Sequence, residues 1–425
     1  MKRYSRGIII FLLLVMVMGT VAGCGNNHKK EVMRSGKQIK LEFSWWGNDE
    51  RHAYTLQGVD LFQSQNPDID VDCRYGDWSG FEKRTKVWME SHNEPDVMQI
   101  NYAWLSDYSA DGNGYYDLYQ LADVIDLNNF KEEDLQFGVR NGKLNAIPIA
   151  FNTATIYYNQ DIYDKYHLEL PETWDDFFDA AKVMRQDNVY PIGMAKKQLV
   201  LFLTAYYEQT TGKALFNQDG TLNAGEEEIA YILDFYKRLL DEKVLLPIDR
   251  FSKEKFTNGE IAGSMFWASD AGMYCEGLDA RDVSVVIGDY PKLQGSVRSG
   301  WYIKPATMYA ISDVTKNPKE AGMLLNFLLN SEEMAEYQKT EKGVPISASA
   351  VNYLKEKGYL NSRETEANDK MLKERNQMDV MLPVMENENV INTFKSEADD
   401  YIYDKVSLEE AAKKIYQNIK QLTEK

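Results

Sequence analysis

One pattern of hydrophobic and polar positions recurs in the first part of the chain. Apolar and polar residues alternate over 39–43 and 69–73, apolar residues at helical spacing follow over 51–65 and 81–91, and a short apolar segment spans 96–100. A period of two predicts strands, and a spacing of three or four predicts helices. Strand and helix therefore succeed one another, which is typical of an α/β fold with a parallel sheet.

Each of the three predicted strands is followed by a loop that is rich in aromatic residues. The loops occupy residues 45–49, 75–78 and 101–104. Because parallel strands point the same way, the three loops should meet at one edge of the sheet. Ligands of open α/β sheets bind outside the carboxyl ends of the strands, so we predict a binding site at this edge.

The remainder of the chain carries a second set of α/β elements. Helices are predicted at 173–185, 226–242 and 319–330, and a β-branched run at 284–291 predicts a strand. A single hydrophobic core usually stops growing near ~250–300 residues. The chain has 425 residues, so we expect two lobes.

The N-terminus is typical of an exported protein. Three basic residues precede an uncharged apolar run over 7–23, and the small residues Val21, Ala22 and Gly23 stand directly before Cys24. This order predicts a secretory signal over 1–23, and its ending resembles the lipobox of bacterial lipoproteins, in which the cysteine is lipidated. An uncleaved signal anchor is the alternative. Residues 24–36 then predict a lipidated Cys24 and a flexible tether.

Charge and composition exclude several classes of protein. The 48 basic and 66 acidic side chains give a formal net charge of -18 without a long basic run. Binding to nucleic acid is not expected, since phosphate recognition needs clustered lysine and arginine, and contact with the membrane is expected through the lipid anchor only. The 27 tyrosines and 8 tryptophans favour a polar ligand stacked on aromatic rings.

Cysteine and histidine give no sign of a metal or cofactor. The four histidines are scattered without the spacing of a zinc site, so we expect no cofactor and no metal. Cys73 and Cys275 lie about 200 residues apart, in segments that we assign to different lobes. We expect two buried free thiols, although an exported protein could also pair them.

Several short motifs make the chain similar to a known family, the extracellular sugar-binding proteins of bacterial ABC importers, which include the maltodextrin-binding proteins. In chain order they are the lipobox ending at Cys24, Phe43-Ser44-Trp45-Trp46-Gly47, Asn66-Pro67-Asp68-Ile69, Pro95-Asp96-Val97, Gly142-Lys143-Leu144, Tyr157-Tyr158-Asn159, Pro171-Glu172-Thr173-Trp174-Asp175, Phe256-Thr257-Asn258-Gly259-Glu260-Ile261-Ala262 and Ile311-Ser312 leading to Asn317-Pro318. Each motif is short, but their order extends across nearly the whole chain after Cys24.

The resemblance implies a two-lobe, periplasmic-binding-protein-like fold with a ligand cleft between the lobes. Three crossovers are expected near Ala150, Ile287 and Asp313. The implied lobes are 37–150 with 288–313, and 151–287 with 314–425. The implied function is capture of a carbohydrate, an oligosaccharide above all, and its delivery to the transmembrane subunits of an ABC permease. Such a protein would be a monomer held by lipid on the outer face of the cytoplasmic membrane.

The predicted site combines flat aromatic faces for the C–H face of a sugar with polar groups for its hydroxyls. The candidates are Trp45, Trp46, Asn48, Asp49, Arg51, Trp78, Asn101, Tyr102, Asn152, Trp267, Asp270 and Trp301. Adjacent residues of a strand point to opposite faces, so at least one of the first two tryptophans should face the cleft.

Some candidates and the function itself have alternative interpretations. Asp49 could accept a hydroxyl or cap the following helix, Arg51 could be a surface cation, and Asn152 could be a turn former. A secreted glycoside hydrolase would also need aromatic rings, together with two carboxyls about 5–9.5 Å apart. No spacing identifies such a pair. The predicted lipid anchor, the tether and the family resemblance favour a binding protein, so we predict no catalytic residue.

Overall fold

The computed structural model describes residues 38–424. The predicted signal segment, Cys24 and the tether over 24–36 lie outside the described residues. Within 38–424, no helix has both the length and the hydrophobicity needed to cross a membrane. The compact unit described below begins at Ile39.

Twelve strands form two main sheets and one short hairpin within the described residues. The first sheet has the order β12-β11-β3-β1-β2, with β6 also paired to β11, and the second has the order β10-β7-β9-β8. The strands are β1 Ile39–Trp46, β2 Ile69–Gly76, β3 Val97–Ile100, β4 Val139–Arg140, β5 Lys143–Leu144, β6 Ala146–Asn152, β7 Ala154–Asn159, β8 Gly193–Met194, β9 Gly263–Trp267, β10 Val285–Ile287, β11 Tyr302–Ile311 and β12 Asp379–Val380.

Helices cover both sheets. They are α1 Asp49–Gln65, α2 Trp78–Glu90, α3 Ala103–Ser109, α4 Glu132–Leu135, α5 Gln160–Lys165, α6 Trp174–Met184, α7 Lys196–Thr211, α8 Glu226–Asp241, α9 Lys253–Thr257, α10 Ala271–Asp279, α11 Pro318–Asn330, α12 Glu332–Gln338, α13 Ala348–Glu356, α14 Arg363–Glu374, α15 Glu388–Ile402 and α16 Leu408–Thr423. Short 3-10 turns link several of them.

The parallel part of the first sheet follows the predicted alternation. β1 pairs in parallel with β2, starting at Ile39 opposite Ile69, and with β3 at Phe43 opposite Val97. The α/β prediction is therefore confirmed. β11 lies antiparallel to β3 and β6, so a strand from late in the chain completes this sheet.

Two large hydrophobic clusters correspond to the two sheets. The first cluster contains Leu41, Phe43 and Trp45 of β1 with Phe62 of α1. The second cluster contains β7, β9 and the apolar faces of α6, α7, α8, α15 and α16. Each sheet thus has its own core, in keeping with the expected two-lobe fold.

The chain passes between the two sheets at several points. β6 ends at Asn152 and β7 begins at Ala154, next to the crossover expected near Ala150. The segment between β10 and β11 passes back, after Ile287. These positions agree with two of the three expected crossovers.

The third crossover differs from the sequence expectation, which gave residues 314–425 to the second lobe. Ala321, Leu324 and Leu328 of α11, with Met334 of α12, pack in the first cluster. Their apolar stripe fits the face of the first sheet, and sequence periodicity does not tell which sheet a helix will cover. We propose that the first lobe extends through α13 and that the third crossover lies between α13 and α14, over 357–362.

The two cysteines of the described chain are free and lie apart, as expected. Cys73 belongs to β2 and packs beside the first cluster, whereas Cys275 is buried in α10. Burial raises the pKa of each thiol to about 12. Both are therefore protonated at neutral pH and behave as small apolar side chains.

Candidate functional site

Three tryptophans meet at the carboxyl edge of the first sheet. The Trp46 ring lies 5.1 Å from that of Trp78 and 5.5 Å from that of Trp104, and the rings of Trp78 and Trp104 are nearly parallel. α2 is interrupted at Ser79 and at Gly80, whose φ is +92°, so Trp78 is separated from the regular helix that follows. Trp78 is 42% exposed, which leaves an aromatic surface available at this edge.

Trp45 and Trp46 lie on opposite faces of the sheet, and both are buried. Trp45 has no exposed surface, its ring stacks on Tyr75, and its indole N–H donates to Nδ1 of His52 at 3.1 Å. We expected at least one of these two tryptophans to face an open cleft. Trp45 does not face one, because helices and loops cover both faces of this sheet. Trp46 reaches the edge only through its contact with Trp78.

The loop after β1 contributes a helix cap and a cation. Asn48, not Asp49, caps α1, because its side chain accepts a hydrogen bond from the Arg51 N–H at 2.9 Å. Asp49 is instead the first residue of the helix and is exposed. The Arg51 guanidinium reaches residues far along the chain, and its Nη2 donates to the Glu341 carbonyl at 2.7 Å.

Trp267 and Asp270 belong to the second sheet and the turn after it. The ammonium of Lys304 lies 4.6 Å from the centre of the Trp267 ring, and Lys304 also pairs with Glu386. Burial raises the pKa of Asp270, and a hydrogen bond from Ser269 and the charges of Arg51 and Lys304 partly oppose this. Arg51 of the first lobe thus acts on Asp270 of the second.

Asn152 connects the two sheets at the first crossover. Its Nδ2 donates to Oγ of Ser269 at 2.9 Å, and its Oδ1 accepts from the Ser269 N–H at 3.3 Å. The residue is buried, so these bonds stabilise the crossover beside Asp270. It is more than a turn former, since it bonds the first crossover to the turn after β9.

Asn101 and Tyr102 are half-buried at the end of β3. Oδ1 of Asn101 accepts from the Ala103 N–H at 2.9 Å, which fixes the turn into α3. The guanidinium of Arg140 lies 5.5 Å from the centre of the Tyr102 ring. Tyr102 therefore continues the aromatic edge, while the Asn101 side chain is used by the backbone.

Trp301 does not lie at the aromatic edge. It is 4% exposed and packs in the second cluster, where its ring is nearly parallel to that of Trp174 and its N–H donates to the Pro291 carbonyl at 3.4 Å. Sequence position near a crossover suggested the cleft, but the local packing places the indole inside a core. Its role in binding stays a prediction without support from the geometry.

A set of polar side chains, of which the sequence analysis named only Arg51, lies around β3 and β11, and we call it the Lys342 group. Lys342 is 4% exposed, and its ammonium donates to the Tyr309 hydroxyl at 2.8 Å. Several polar atoms of this group have no hydrogen-bond partner among the described residues: Nε of Arg51, the hydroxyl of Tyr54, Oε1 of Gln99 and Oγ1 of Thr307. The group comprises Arg51, Tyr54, Gln99, Thr307, Tyr309 and Lys342.

One sequence signal could have indicated part of the Lys342 group. Gln99 interrupts the otherwise apolar strand Val97–Ile100, and a buried polar residue needs a partner. Lys342 gave no such signal, since it stands in an ordinary loop sequence before Gly343. Buried polar groups in native proteins are nearly always paired, so these atoms need a partner from outside the described chain, which an ordered water or a ligand supplies.

Two lobes, with aromatic and polar groups at the carboxyl edge of the first sheet, are typical of a binding protein of the bilobal type. Comparisons with known proteins give the same class. The family model of the bacterial extracellular solute-binding proteins matches residues 57–365. The chain belongs to this family, and the predicted resemblance is confirmed.

Individual relatives cover most of the chain. The multiple sugar-binding protein of Streptococcus mutans is 24% identical over 370 residues, which is 83% of this chain and 84% of the relative. A solved oligogalacturonide-binding protein of Yersinia enterocolitica, in complex with saturated digalacturonic acid, is 30% identical with a TM-score of 0.78 over 91% of this chain and 99% of that one. A solved de novo designed cysteine esterase is also 30% identical, with a TM-score of 0.85 over 92% and 99%.

Proposed function

We propose that the protein captures a carbohydrate between its two lobes and delivers it to an ABC permease. The observation that carries the proposal is the Lys342 group, in which several buried polar atoms have no partner among the described residues, and Gln99 of this group lies beside the end of β1, where its Nε2 donates to the Trp46 carbonyl at 3.5 Å. Rings bind the C–H face of a sugar, and unpartnered donors and acceptors bind its hydroxyls. Sugar-binding and oligogalacturonide-binding relatives support the same ligand class.

The second part of the proposal concerns location. The lipobox-like ending before Cys24 supports a lipoprotein anchored to the outer face of the cytoplasmic membrane. A chain held there would meet a permease by diffusion in two dimensions. We propose that it works as a monomer, because one chain supplies both lobes of the site.

We propose that the bound sugar is not turned over. The cysteine thiolate that an esterase needs is disfavoured, since burial raises the pKa of both Cys73 and Cys275 to about 12. A hydrolase is the second candidate, because burial raises the pKa of Asp270 and Glu341, and a raised pKa suits a general acid.

A screen of thermal stability against neutral and acidic oligosaccharides tests the proposal. A ligand at 100 times its dissociation constant stabilises the folded state by about 2.7 kcal/mol, which shifts the melting temperature measurably. Any hit is then incubated with stoichiometric protein. Saturable binding without release of reducing ends is expected. Turnover that is lost in Asp270→Asn would support the hydrolase instead.

A further inference from the structure

The Lys342 group contains two cations that lack a carboxylate partner. Among residues 38–424, neither Arg51 nor Lys342 has a carboxylate oxygen within 4.0 Å. Arg51 donates to the Glu341 carbonyl and Lys342 to the Tyr309 hydroxyl, which are both uncharged acceptors. Two half-buried lysines of the chain are paired, Lys304 with Glu386 and Lys395 with Asp249.

The charge of Arg51 also affects the protonation of Lys342. Burial and the charge of Arg51 lower the pKa of Lys342 to about 7. The acids that influence this region are Asp270, which faces Arg51 from the second lobe, Glu341, Glu50 and Glu364, and burial raises the pKa of Asp270 and Glu341. None of their carboxylate oxygens lies within 4.0 Å of the Lys342 ammonium among the described residues.

Arg140, near the end of β3, is a third cation without a carboxylate partner among residues 38–424. The Arg140 guanidinium lies over the Tyr102 ring and donates to the carbonyls of Phe137 and Val139. It has no ion pair within the described chain. Arg140 therefore adds an unpaired cation to the aromatic edge, whereas the chain as a whole is acidic, with a net charge of -18.

We propose that the ligand carries carboxylates, as an oligosaccharide of uronic acids does, and that Arg51 and Lys342 bind one of them. The inference rests on the proposed capture of a carbohydrate. Lys342 is already 4% exposed without a carboxylate of the described chain beside it, and an uncompensated buried charge is costly. A carboxylate supplies the missing charge and accepts the N–H groups of Arg51 and Lys342 that lack partners.

The test compares each acid with its own methyl ester, which keeps the sugar stereochemistry and removes the charge. Full-length protein is titrated by calorimetry with trimers of galacturonate, glucuronate, mannuronate and guluronate, with their methyl esters, and with neutral trimers of galactose, glucose and mannose. One acid should bind about tenfold to 100-fold more tightly than its ester, as expected for charge-assisted hydrogen bonds.

Variants then locate the effect. Lys342→Met should reduce the preference for acid over ester to about threefold or less, because it should weaken binding of the acid more than binding of the ester. Arg51→Gln gives a second variant if Lys342→Met does not fold. Lys395→Met removes a paired lysine in α15 and the same net charge, so it is the matched control and should keep the preference.

Each outcome decides between the two proposals. Saturable binding of a neutral trimer or an ester with affinity equal to that of the acids overturns the carboxylate inference and leaves the sugar-binding function intact. A preference that Lys342→Met and Arg51→Gln both retain overturns the assignment to these residues. Absence of binding by every trimer overturns the proposed function and the inference together.

Discussion

Two buried polar regions of the molecule differ in how completely their atoms are paired. In the second cluster, Glu208 accepts from Tyr302, Arg298 and Leu215. The adjacent Gln209 uses both ends of its amide, with Oε1 accepting from Trp174 and from the backbone of Leu293, and Nε2 donating to two carbonyls. The Lys342 group lies at the other extreme, with several buried atoms that bond to nothing.

The difference separates structure from function. A fully paired network fixes one arrangement of the chain, and removing a partner from it should cost stability. An unpaired group costs stability unless a water or a ligand provides the partner, and the hydroxyls of Tyr158, Tyr163 and Tyr207 show that unpaired atoms occur in the second cluster too. By this argument, Glu208 and Gln209 with their neighbours hold the second core, and we propose that the Lys342 group receives the ligand.

The largest expected effect belongs to the paired region. Trp301→Ala should destabilise the protein by about 3–5 kcal/mol, as expected for truncating a buried tryptophan. Urea denaturation measures the loss. The folded variant should bind sugar normally, because Trp301 packs on Trp174 and not at the aromatic edge. Weakened sugar binding with unchanged stability would show that Trp301 belongs to the binding site.

The next effect appears as a pH dependence of the unpaired region. The pKa of Lys342 is about 7 in the folded state, against about 10.4 for an exposed lysine. Above about pH 7 the unfolded chain therefore binds more protons, and the unfolding free energy rises with pH by about 1 kcal/mol per unit up to about pH 9. Below about pH 7 both states are protonated and this contribution to the slope vanishes.

Lys342→Met should remove that slope, which is visible as the difference between wild type and variant across the same window. Lys395→Met serves as control. Its pKa is raised by ion pairs with Asp399 and Asp249 against the effect of burial, so it titrates above the window. Equal slopes in wild type and Lys342→Met would mean that Lys342 is not a buried, uncompensated cation.

A smaller effect is expected at the exposed tryptophan of the edge. Trp78→Ala should weaken sugar binding by about 1–2 kcal/mol through loss of a stacked ring. Its effect on stability should be small, since Trp78 is 42% exposed. Calorimetry and urea denaturation separate the two effects. Normal binding by the variant would move the site away from this edge.

The smallest effects are expected from two tyrosine-to-phenylalanine variants, one in each region, which compare the regions most directly. Tyr302→Phe removes a hydroxyl bonded to Glu208, and it should cost about 1–2 kcal/mol of stability without affecting binding. Tyr54→Phe removes a hydroxyl without a partner, so stability should change by less than about 0.5 kcal/mol while binding weakens. The reverse pattern would contradict the distinction between the regions.

Much of the fold could be predicted because the evidence for it is local. Alternation at Ile39–Trp46 and Ile69–Gly76 shows a strand in each case, and the rule for parallel sheets then places their loops together. The partner of β11 and the sheet covered by α11 could not be predicted, since the same apolar stripe fits either core. Long-range packing decides such questions.

Part of the candidate site could also be predicted from local sequence patterns. Trp46, Trp78 and Tyr102 were expected at the edge because each follows a strand. Lys342 was not, because a lysine in a loop is exposed in most proteins, and its burial depends on the fold of residues almost 300 positions earlier. Asn48 rather than Asp49 became the cap because both types cap well, and local geometry chose between them.

The central claim is that a ligand bound to the Lys342 group and the aromatic edge is enclosed by the second lobe through Trp267 and Asp270. Its differential affinity for the closed form must then supply the free energy of closure. Small-angle scattering of the protein with and without the sugar found by the screen tests this most directly. The account predicts a smaller radius of gyration with saturating sugar, and less change in Trp267→Ala. An unchanged scattering profile at saturation would show that the site lies within one lobe and would contradict the account.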